Sequence, residues 1–373
     1  MRLILDPAVR LYGGGRVLVG RGRIIRLSEH GPAALRALLA DSATPAQRRL
    51  GERLIDAGFA HPRPASANLK GPVPFRNATT VIPVRDRPVK MQARPPGPFI
   101  CVDDGSREPV VCEGATVIRR ERSGGPAAAR NEALPRVTTE LVAFLDSDCV
   151  PPPDWIERLA GHFDDPRVAA VAPRIRALDG GRSPLDMGPG RNVRYLPSAA
   201  LVVRMAAQPW FDPALRYGED VDLIWRLEAA GWRYRYEPDV VVVHDERDRL
   251  KRRFWYGTSA APLSRRHPGK LKHVVLRPWT VATVLLLPRP KLALIAYAIH
   301  TVRLARTLRS KGVPARLAPL WTARALVQTV AQFARLTSPY GAGVLFGHLV
   351  TRIRGLPTIS DPSIHERTGH QAT

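Results

Sequence analysis

Residues Leu141 to Leu145 form an unbroken apolar run, Leu-Val-Ala-Phe-Leu, that stops at Asp146-Ser147-Asp148. No polar residue alternates with the apolar ones, so the run suits a strand buried on both faces, as in a parallel sheet covered by helices. Such a strand needs partners on both edges and layers above and below, which excludes most small folds. Asp146 and Asp148, at i and i+2, project to one side of an extended chain. At the carboxyl end of a parallel strand they stand where α/β sheets bind ligands. Two close carboxylates call for a compensating cation, and hard oxygen ligands suit Mg2+ or Mn2+. A strand-ending turn, which Asp and Ser also favour, would use the same residues.

The flanking sequence alternates between strand and helix patterns. Thr80 to Val84 reads as a first strand. Phe99 to Val102 reads as a second, ending in Asp103-Asp104-Gly105-Ser106, and Val117-Ile118 as a short third. Ser123 to Asn131 is a Gly-rich turn entering a helix. Asp154 is placed to cap a helix from Trp155 to Phe163, and Val168 to Val171 is a further strand. Glu219-Asp220 opens a helix, Val221 to Ala230, closed by Gly231. Val240 to Val243 is a strand ending at His244. The pattern predicts an α/β fold over 79–247, a doubly wound and mostly parallel sheet.

Residues 1–62 read as a separate small module. Two short strands, 16–20 and 24–27, precede a helix from Pro32 to Ala40. A second helix starts at the cap pattern Thr44-Pro45-Ala46-Gln47 and stops at Gly58. The combination resembles a winged-helix, peptide-recognition-like module; a packing domain with no ligand is the alternative. Residues 63–78, rich in Pro, Ala and Asn, are the expected linker.

The net charge of +24 is concentrated at one end: from Arg249 to Ser360 there is no Asp or Glu, against 20 Lys and Arg. A basic region of this kind fits nucleic acid or an anionic membrane surface. No zinc-finger or RNA-binding motif occurs in the first 248 residues, which points away from nucleic acid. The apolar runs 281–287 and 292–299 fall short of the ~20 residues that span a bilayer. Arg303, Arg306 and Arg309 share a helical face, opposite Val302 and Leu308. Residues 248–354 are therefore expected to be amphipathic helices on an anionic inner leaflet, with a hairpin dipping into the bilayer as the alternative; residues 355–373 are expected to be a disordered tail. Cys101, Cys112 and Cys149 have no metal-site spacing and suit a reducing cytosol. The opening residues lack the apolar core of a signal peptide, so the expected location is the cytoplasmic face of the cell membrane.

The motif series V-I-P-V, V-D-D-G-S, G-P-A-A-A-R-N, D-S-D and G-E-D-V-D-L with Arg226 resembles that of the inverting family-2 glycosyltransferases, whose fold is called GT-A. F-L-D-S-D-C-V-P-P, Y-G-E-D-V-D-L-I-W-R-L and R-R-F-W-Y-G-T-S-A-A-P-L are similar to the branch of that family in the mycofactocin system. The resemblance implies a nucleotide-sugar donor, UDP-glucose, and a small peptide-derived acceptor, a precursor of a redox cofactor (pre-mycofactocin). It places a divalent metal on Asp148 and sets Asp146 near the ribose or the metal, with His244 as a third ligand; a strand-end His satisfied by a backbone group is the alternative. It sets Asp103 and Asp104 against uracil and ribose, Arg130 against the nucleotide or diphosphate, and the loop at Arg85 beside the nucleotide. Asp220, with Glu219, matches the acceptor-side base, although both could equally cap their helix. Lys251, Arg252 and Arg253 with Phe254, Trp255 and Tyr256 could close over the diphosphate. Trp210, Phe211 and Trp225 could stack on sugars, with core packing the simpler use.

One stretch departs from the family's pattern. Only Arg85 to Pro98 separates the first two strands, and it contains Pro88, Pro95, Pro96 and Pro98. A normal crossover helix is forbidden there. One face of the sheet is expected to be under-covered and the loop at Arg85 displaced. Residues 176–195, the expected acceptor loop, are short as well. Two other functions stay open: a transferase for lipid-linked or cell-wall glycans, and a non-catalytic nucleotide-sugar-binding scaffold.

Overall fold

The structure is a computed structural model that describes residues 2–20, 22–63, 78–90, 95, 97–181, 183–246, 249–271, 278–336 and 338–354. It divides into two compact units, 1–63 with 272–341, and 64–271 with 342–373. The expected linker, except for its ends, and the expected disordered tail lie outside the described residues.

The first unit begins with strands β1 (Arg2–Leu5), β2 (Arg10–Tyr12), β3 (Val17–Gly20) and β4 (Arg23–Arg26). Helices α1 (Gly31–Leu39) and α2 (Pro45–Asp56) and strand β5 (Ala60–Arg63) follow. α2 starts where the sequence predicts: the Thr44 hydroxyl accepts from the Gln47 N–H at 3.4 Å, and the Gln47 side chain accepts from the Thr44 N–H at 2.9 Å, a reciprocal cap. β1 pairs with β5, and β2, β3 and β4 form a second sheet. β3 is buried on both faces because its side chains alternate. Leu18 joins the core with Leu35, Leu38 and Leu54, whereas Val17 and Val19 pack with Leu308, Val313 and Ala318.

The second unit is built on an eight-stranded sheet. Its strands are β6 (Ala78–Val84), β7 (Phe99–Asp103), β8 (Thr116–Arg119), β9 (Leu141–Leu145), β10 (Cys149–Val150), β11 (Val168–Ala177), β12 (Ala200–Arg204) and β13 (Arg233–His244). The spatial order is β10-β13-β11-β12-β9-β6-β7-β8. β12 is antiparallel to both β9 and β11, and β10 is antiparallel to β13; the other pairings are parallel. Six strands therefore run one way, and the expected mostly parallel α/β sheet is present. All five residues of β9 are buried. Leu141, Ala143 and Leu145 belong to the core on one face, Val142 and Phe144 to the core on the other.

Helices α3 (Gly125–Ala133) and α5 (Glu219–Ala229) cover one face, with Ala127, Ala129, Leu223, Ile224 and Leu227 in its core. α4 (Trp155–Ala160) covers the other through Trp155, Ile156 and Leu159. The expected helix from Trp155 to Phe163 is shorter than the pattern predicts: it tightens to a 3-10 turn over Gly161–Asp164, and Asp154 makes no side-chain cap. The face expected to be under-covered is instead packed by Val89, Val110, Cys112 and Ala115. The crossover between β6 and β7 is irregular where described, and it does not disturb their register, which runs from Thr80 opposite Phe99 to Val84 opposite Asp103.

Two short helices follow the sheet, α6 (Arg249–Thr258) and α7 (Ala260–Arg266). The first unit then takes up α8 (Pro278–Leu285), α9 (Pro290–Ser310) and α10 (Ala318–Leu336). Arg303, Arg306 and Arg309 are exposed, but Val302, expected on the opposite face, is 50% exposed beside them. The packed face of α9 is Leu304, Ala305 and Leu308, which meet the β3 sheet. Among the described residues no helix is long and apolar enough to cross a membrane. The long run from Ala318 to Val350 is divided between two helices, α10 and α11 (Pro339–Arg354).

Candidate active site

The parallel strands bring Val84, Asp103, Arg119, Leu145 and His244 to the same edge of the sheet, and charged residues gather there. After β9 the chain turns through Asp146-Ser147-Asp148 into β10, where Cys149 pairs with His244 of β13. That pairing joins the two ends of the candidate metal site. Asp148 Oδ1 lies 3.0 Å from His244 Nε2, and Glu246 Oε1 lies 3.1 Å from His244 Nδ1. Neither partner of His244 is a backbone group, so the alternative of a backbone-satisfied His does not hold. Burial works against charge on this imidazole, but the two carboxylates outweigh it and push the pKa up to about 9. Burial likewise opposes ionisation of Asp148, and His244, Arg252 and Arg87 overcome it, holding the carboxyl below its usual range.

Asp148, Cys149 and His244 have ligand atoms within 4.8 Å of one another. Burial pushes the Cys149 thiol well above its ordinary value, and its soft sulfur suits Mg2+ or Mn2+ less well than oxygen and nitrogen donors do. The usable donors are one carboxylate and one imidazole, with the Glu246 carboxylate orienting the imidazole through its other nitrogen; this fits Mn2+ or Mg2+. Asp146, the other expected ligand, is turned elsewhere: its Oδ1 accepts from Arg130 Nη2 at 2.6 Å.

Arg130 does not line an open nucleotide site. It is 1% exposed, its guanidinium sits 5.2 Å from the Phe211 ring centroid, and Nη1 donates to Glu219 Oε1 at 3.3 Å. The apolar helix α3 carries it inward, and only two carboxylates can hold a cation there. Arg130 thus ties the end of β9 to the start of α5. Gly218, in the left-handed region at φ 79°, turns the chain into α5. Burial raises the Glu219 pKa to about 7, with the neighbouring Asp220 charge adding to the rise and Arg130 opposing it. Burial also raises Asp220, against N–H donors from Val221 at 2.8 Å and Ser198 at 3.4 Å. Glu219 is buried and committed to Arg130; Asp220 is only half-buried.

Asp103 and Asp104, expected against uracil and ribose, are both engaged by the protein. Asp103 accepts from the Ser106 N–H at 2.8 Å, the Val110 N–H at 3.2 Å and Arg119. Asp104 accepts from Ser123 Oγ at 2.7 Å, from the N–H groups of Gly124 and Gly125 at 3.0 and 2.9 Å, and from Arg120. Asp104 thereby pins the Gly-rich turn that starts α3. Arg85 donates to Ser123 Oγ at 2.8 Å and keeps 39% of its side chain exposed. Within α6, Lys251 and Arg253 are exposed, while Arg252 reaches to 3.9 Å from Asp148 Oδ2. Trp255 stacks on Tyr217. Phe211 packs on Phe144, and Trp225 donates from Nε1 to the Arg194 carbonyl at 2.8 Å; both serve packing.

Arg87 is a site residue that the sequence reading did not single out: its Nη1 donates to Asp148 Oδ2 at 2.9 Å. Lys90 reaches Asp245, and its backbone N–H donates to the Ser147 carbonyl at 2.8 Å. The signal available was the cluster R-D-R-P-V-K directly after the first strand.

A strand-end carboxylate paired with a histidine and a carboxylate pair opening α5 are linked through Arg130, which bonds both Asp146 and Glu219. Residues 73–197 match the family model Glycosyl transferase family 2, and the chain belongs to that family. Curated proteins named pre-mycofactocin glycosyltransferase, from two strains of Mycobacterium tuberculosis (CDC 1551 / Oshkosh and ATCC 25618 / H37Rv), are each 43% identical to it over 311 residues. The match covers 73% of this chain and 65% of theirs, so the chain spans just under two thirds of the length of these relatives. Among solved structures, the mannosyltransferase PcManGT of Pyrobaculum calidifontis with GDP-Man and Mn2+ is 16% identical, with a TM-score of 0.43 covering 91% of this chain and 94% of that one. GalNAc-T7 with UDP, GalNAc and Mn2+ is 15% identical, with a TM-score of 0.39 covering 52% and 51%.

Proposed function

We propose that the protein is an inverting glycosyltransferase that moves a sugar, glucose from UDP-glucose, onto a hydroxyl of a peptide-derived redox-cofactor precursor. The observation that carries the reading is the division of labour at the start of α5: Glu219 is buried against Arg130, whereas the neighbouring Asp220 has a raised pKa and remains reachable. A carboxylate with its pKa moved towards neutrality is a suitable general base. Asp220 takes the proton of the acceptor hydroxyl while that oxygen bonds to the anomeric carbon. The bond from the anomeric carbon to the β-phosphate oxygen breaks on the opposite side, and the nucleoside diphosphate leaves with the electron pair. Asp148 and His244 would hold a divalent cation, which would supply positive charge for the departing diphosphate. Asp103 and Asp104 shape the donor loops, Arg85 borders the nucleotide, and Arg130 keeps Asp146 and α5 in fixed relation. The name of the curated relatives supports the acceptor.

The first unit supports attachment to an anionic membrane surface. On α9, Leu292, Ile295, Ile299 and Val302 are all about half-exposed or more, spaced three and four residues apart, and Arg306 and Arg309 continue the stripe. An exposed apolar stripe ending in cations suits the interface of an anionic leaflet, the cytoplasmic face of the cell membrane. A lipid-linked or cell-wall acceptor would share this address.

UDP release from UDP-glucose with Mn2+, with and without a pre-mycofactocin-type acceptor, tests the reading in the wild type, Asp148→Ala and Asp220→Ala. Acceptor-stimulated release that disappears in both variants is expected. Release indifferent to this acceptor would reject the acceptor, and no release from any nucleotide sugar by folded protein would reject the transferase.

A further inference from the structure

Residues 85–90, the start of the short crossover that breaks the family's pattern, form a strap beside the candidate metal site. With no room for a helix, residues 85–90 run over the carboxyl ends of the strands and are fixed to three of them. The Asp86 N–H donates to Ser106 Oγ at 2.9 Å, and the Arg107 N–H donates to Asp86 Oδ1 at 2.9 Å. The Lys90 N–H donates to the Ser147 carbonyl at 2.8 Å, and the Lys90 ammonium reaches Asp245. Between these ties Val89 packs into the core. Arg87 thus lies in the five-residue span 86–90, tied at both ends, with its guanidinium against Asp148 Oδ2 at 2.9 Å, where Arg252 of α6 also approaches to 3.9 Å. Two cations from different elements converge on one carboxylate oxygen. Asp148 already has His244 on its other oxygen, so its charge is more than balanced.

We infer that Arg87, with Arg252, is the donor's diphosphate-binding pair, an inference that rests on the transferase reading above. Asp148 and His244 would hold a divalent ion, and a diphosphate brought to that ion would meet the guanidiniums of Arg87 and Arg252, which already converge on Asp148; a guanidinium matches phosphate oxygens with two parallel hydrogen bonds. Arg87 remains 39% exposed, so it can turn to a ligand. The strap makes Arg87 a specificity residue for the second phosphate: it favours a nucleoside diphosphate over the monophosphate. Arg87 and Asp148 exchange partners on donor binding, so the guanidinium has a counter-ion in both states.

Calorimetric titration of the full chain with UDP and UMP, and with GDP and GMP in parallel, at saturating Mn2+ tests this. In Arg87→Ala the affinity for the diphosphate falls by about tenfold or more while the monophosphate is bound as before, and Arg87→Lys recovers part of the loss. Mn2+ titrated alone binds Arg87→Ala at least as tightly as wild type, because a competitor for Asp148 has gone. Equal losses for diphosphate and monophosphate, an unchanged diphosphate affinity, or weaker Mn2+ binding would each overturn the inference, the last by making Arg87 a support for Asp148. A wild-type chain that binds no nucleotide would overturn the transferase reading and the inference with it.

Discussion

Arg130→Met tests the buried junction between β9 and α5. The substitution keeps an unbranched apolar stem over Phe211 and removes the charge shared by Asp146 and Glu219. Breaking a buried ion pair by deleting one partner costs about 3–5 kcal/mol, because the other charge is left uncompensated. Here the cost depends on pH. Burial raises the folded pKa of Glu219 to about 7, from an ordinary value of 4.5. A carboxyl raised in this way contributes most to stability when protonated, and that contribution is lost as pH rises through the folded value. Without Arg130, which opposes the rise, the folded pKa climbs further and the loss deepens. At pH 6 Glu219 is largely neutral, and the deficit is the lost bond to Asp146, about 2 kcal/mol. At pH 8.5 the variant either ionises Glu219 beside Asp220 with no cation or holds its proton against the unfolded chain's ionised form, and the deficit grows to about 4 kcal/mol. Urea unfolding of wild type and variant at the two pH values measures both. Adding Glu219→Gln to Arg130→Met should remove most of the extra deficit at pH 8.5. A penalty equal at the two pH values, or no rescue by the second substitution, would refute this account of the junction.

Asp220→Asn should lower kcat by about 10²- to 10⁴-fold with little change in donor KM, since it removes the proton acceptor and leaves donor contacts intact; a large KM effect with kcat preserved would count against the base assignment. Mn2+ binding should expel a proton from His244 below its pKa of about 9, so affinity rises from pH 6 to 9, and the calorimetric heat at pH 7 depends on the buffer's ionisation enthalpy; a buffer-independent heat would contradict it. Gly218→Ala puts a Cβ 2.9 Å from Ser259 Cβ and Leu263 Cδ1 at a left-handed φ, and should cost about 1–2 kcal/mol of stability while lowering turnover; an unchanged rate would mean that the entry to α5 does not position Asp220. Sedimentation with phosphatidylglycerol vesicles should be reduced in Ile295→Glu/Ile299→Glu and abolished at high salt, whereas equal binding to neutral vesicles would remove the role of the arginines.

The central strand was legible because nothing competes with its pattern: Leu141 to Leu145 offers no polar face, and the strand has those limits. The start of α5 was legible from Gly218-Glu219-Asp220, and the start of α2 from Thr44 and Gln47. β1, β2 and β5 were not. Ala60–Arg63 contains a proline and a terminal arginine and is a strand only because β1 pairs with it across the module, which no local pattern encodes. The role of Arg130 was misjudged for a related reason: a lone arginine in a helix shows nothing of the two carboxylates, from β9 and α5, that fold around it. Arg87 was missed because the crossover was read as a defect. Its prolines exclude a helix, but only the tertiary ties to Ser106, Arg107 and Ser147 turn an irregular loop into a defined one.

The chain leaves its first unit after Arg63 and rejoins it only beyond Leu271. During synthesis the outer face of β3 therefore waits: Val17 and Val19 emerge early, and Leu308, Val313 and Ala318, which cover them, emerge after the whole sheet of the second unit. Apolar surface left open for that interval is where a nascent chain aggregates. The reverse debt falls at the other end, where α11 returns to the second unit and Gly343 and Gly347 allow it against the Phe254 and Thr258 backbone of α6. A clone trimmed to end at Leu271 would lose both covers at once, uncapping a sheet in one unit and the helix that carries Arg252 in the other. Expression of the second unit alone is thus a matter of cutting at both junctions, before β6 and around α11, rather than at one.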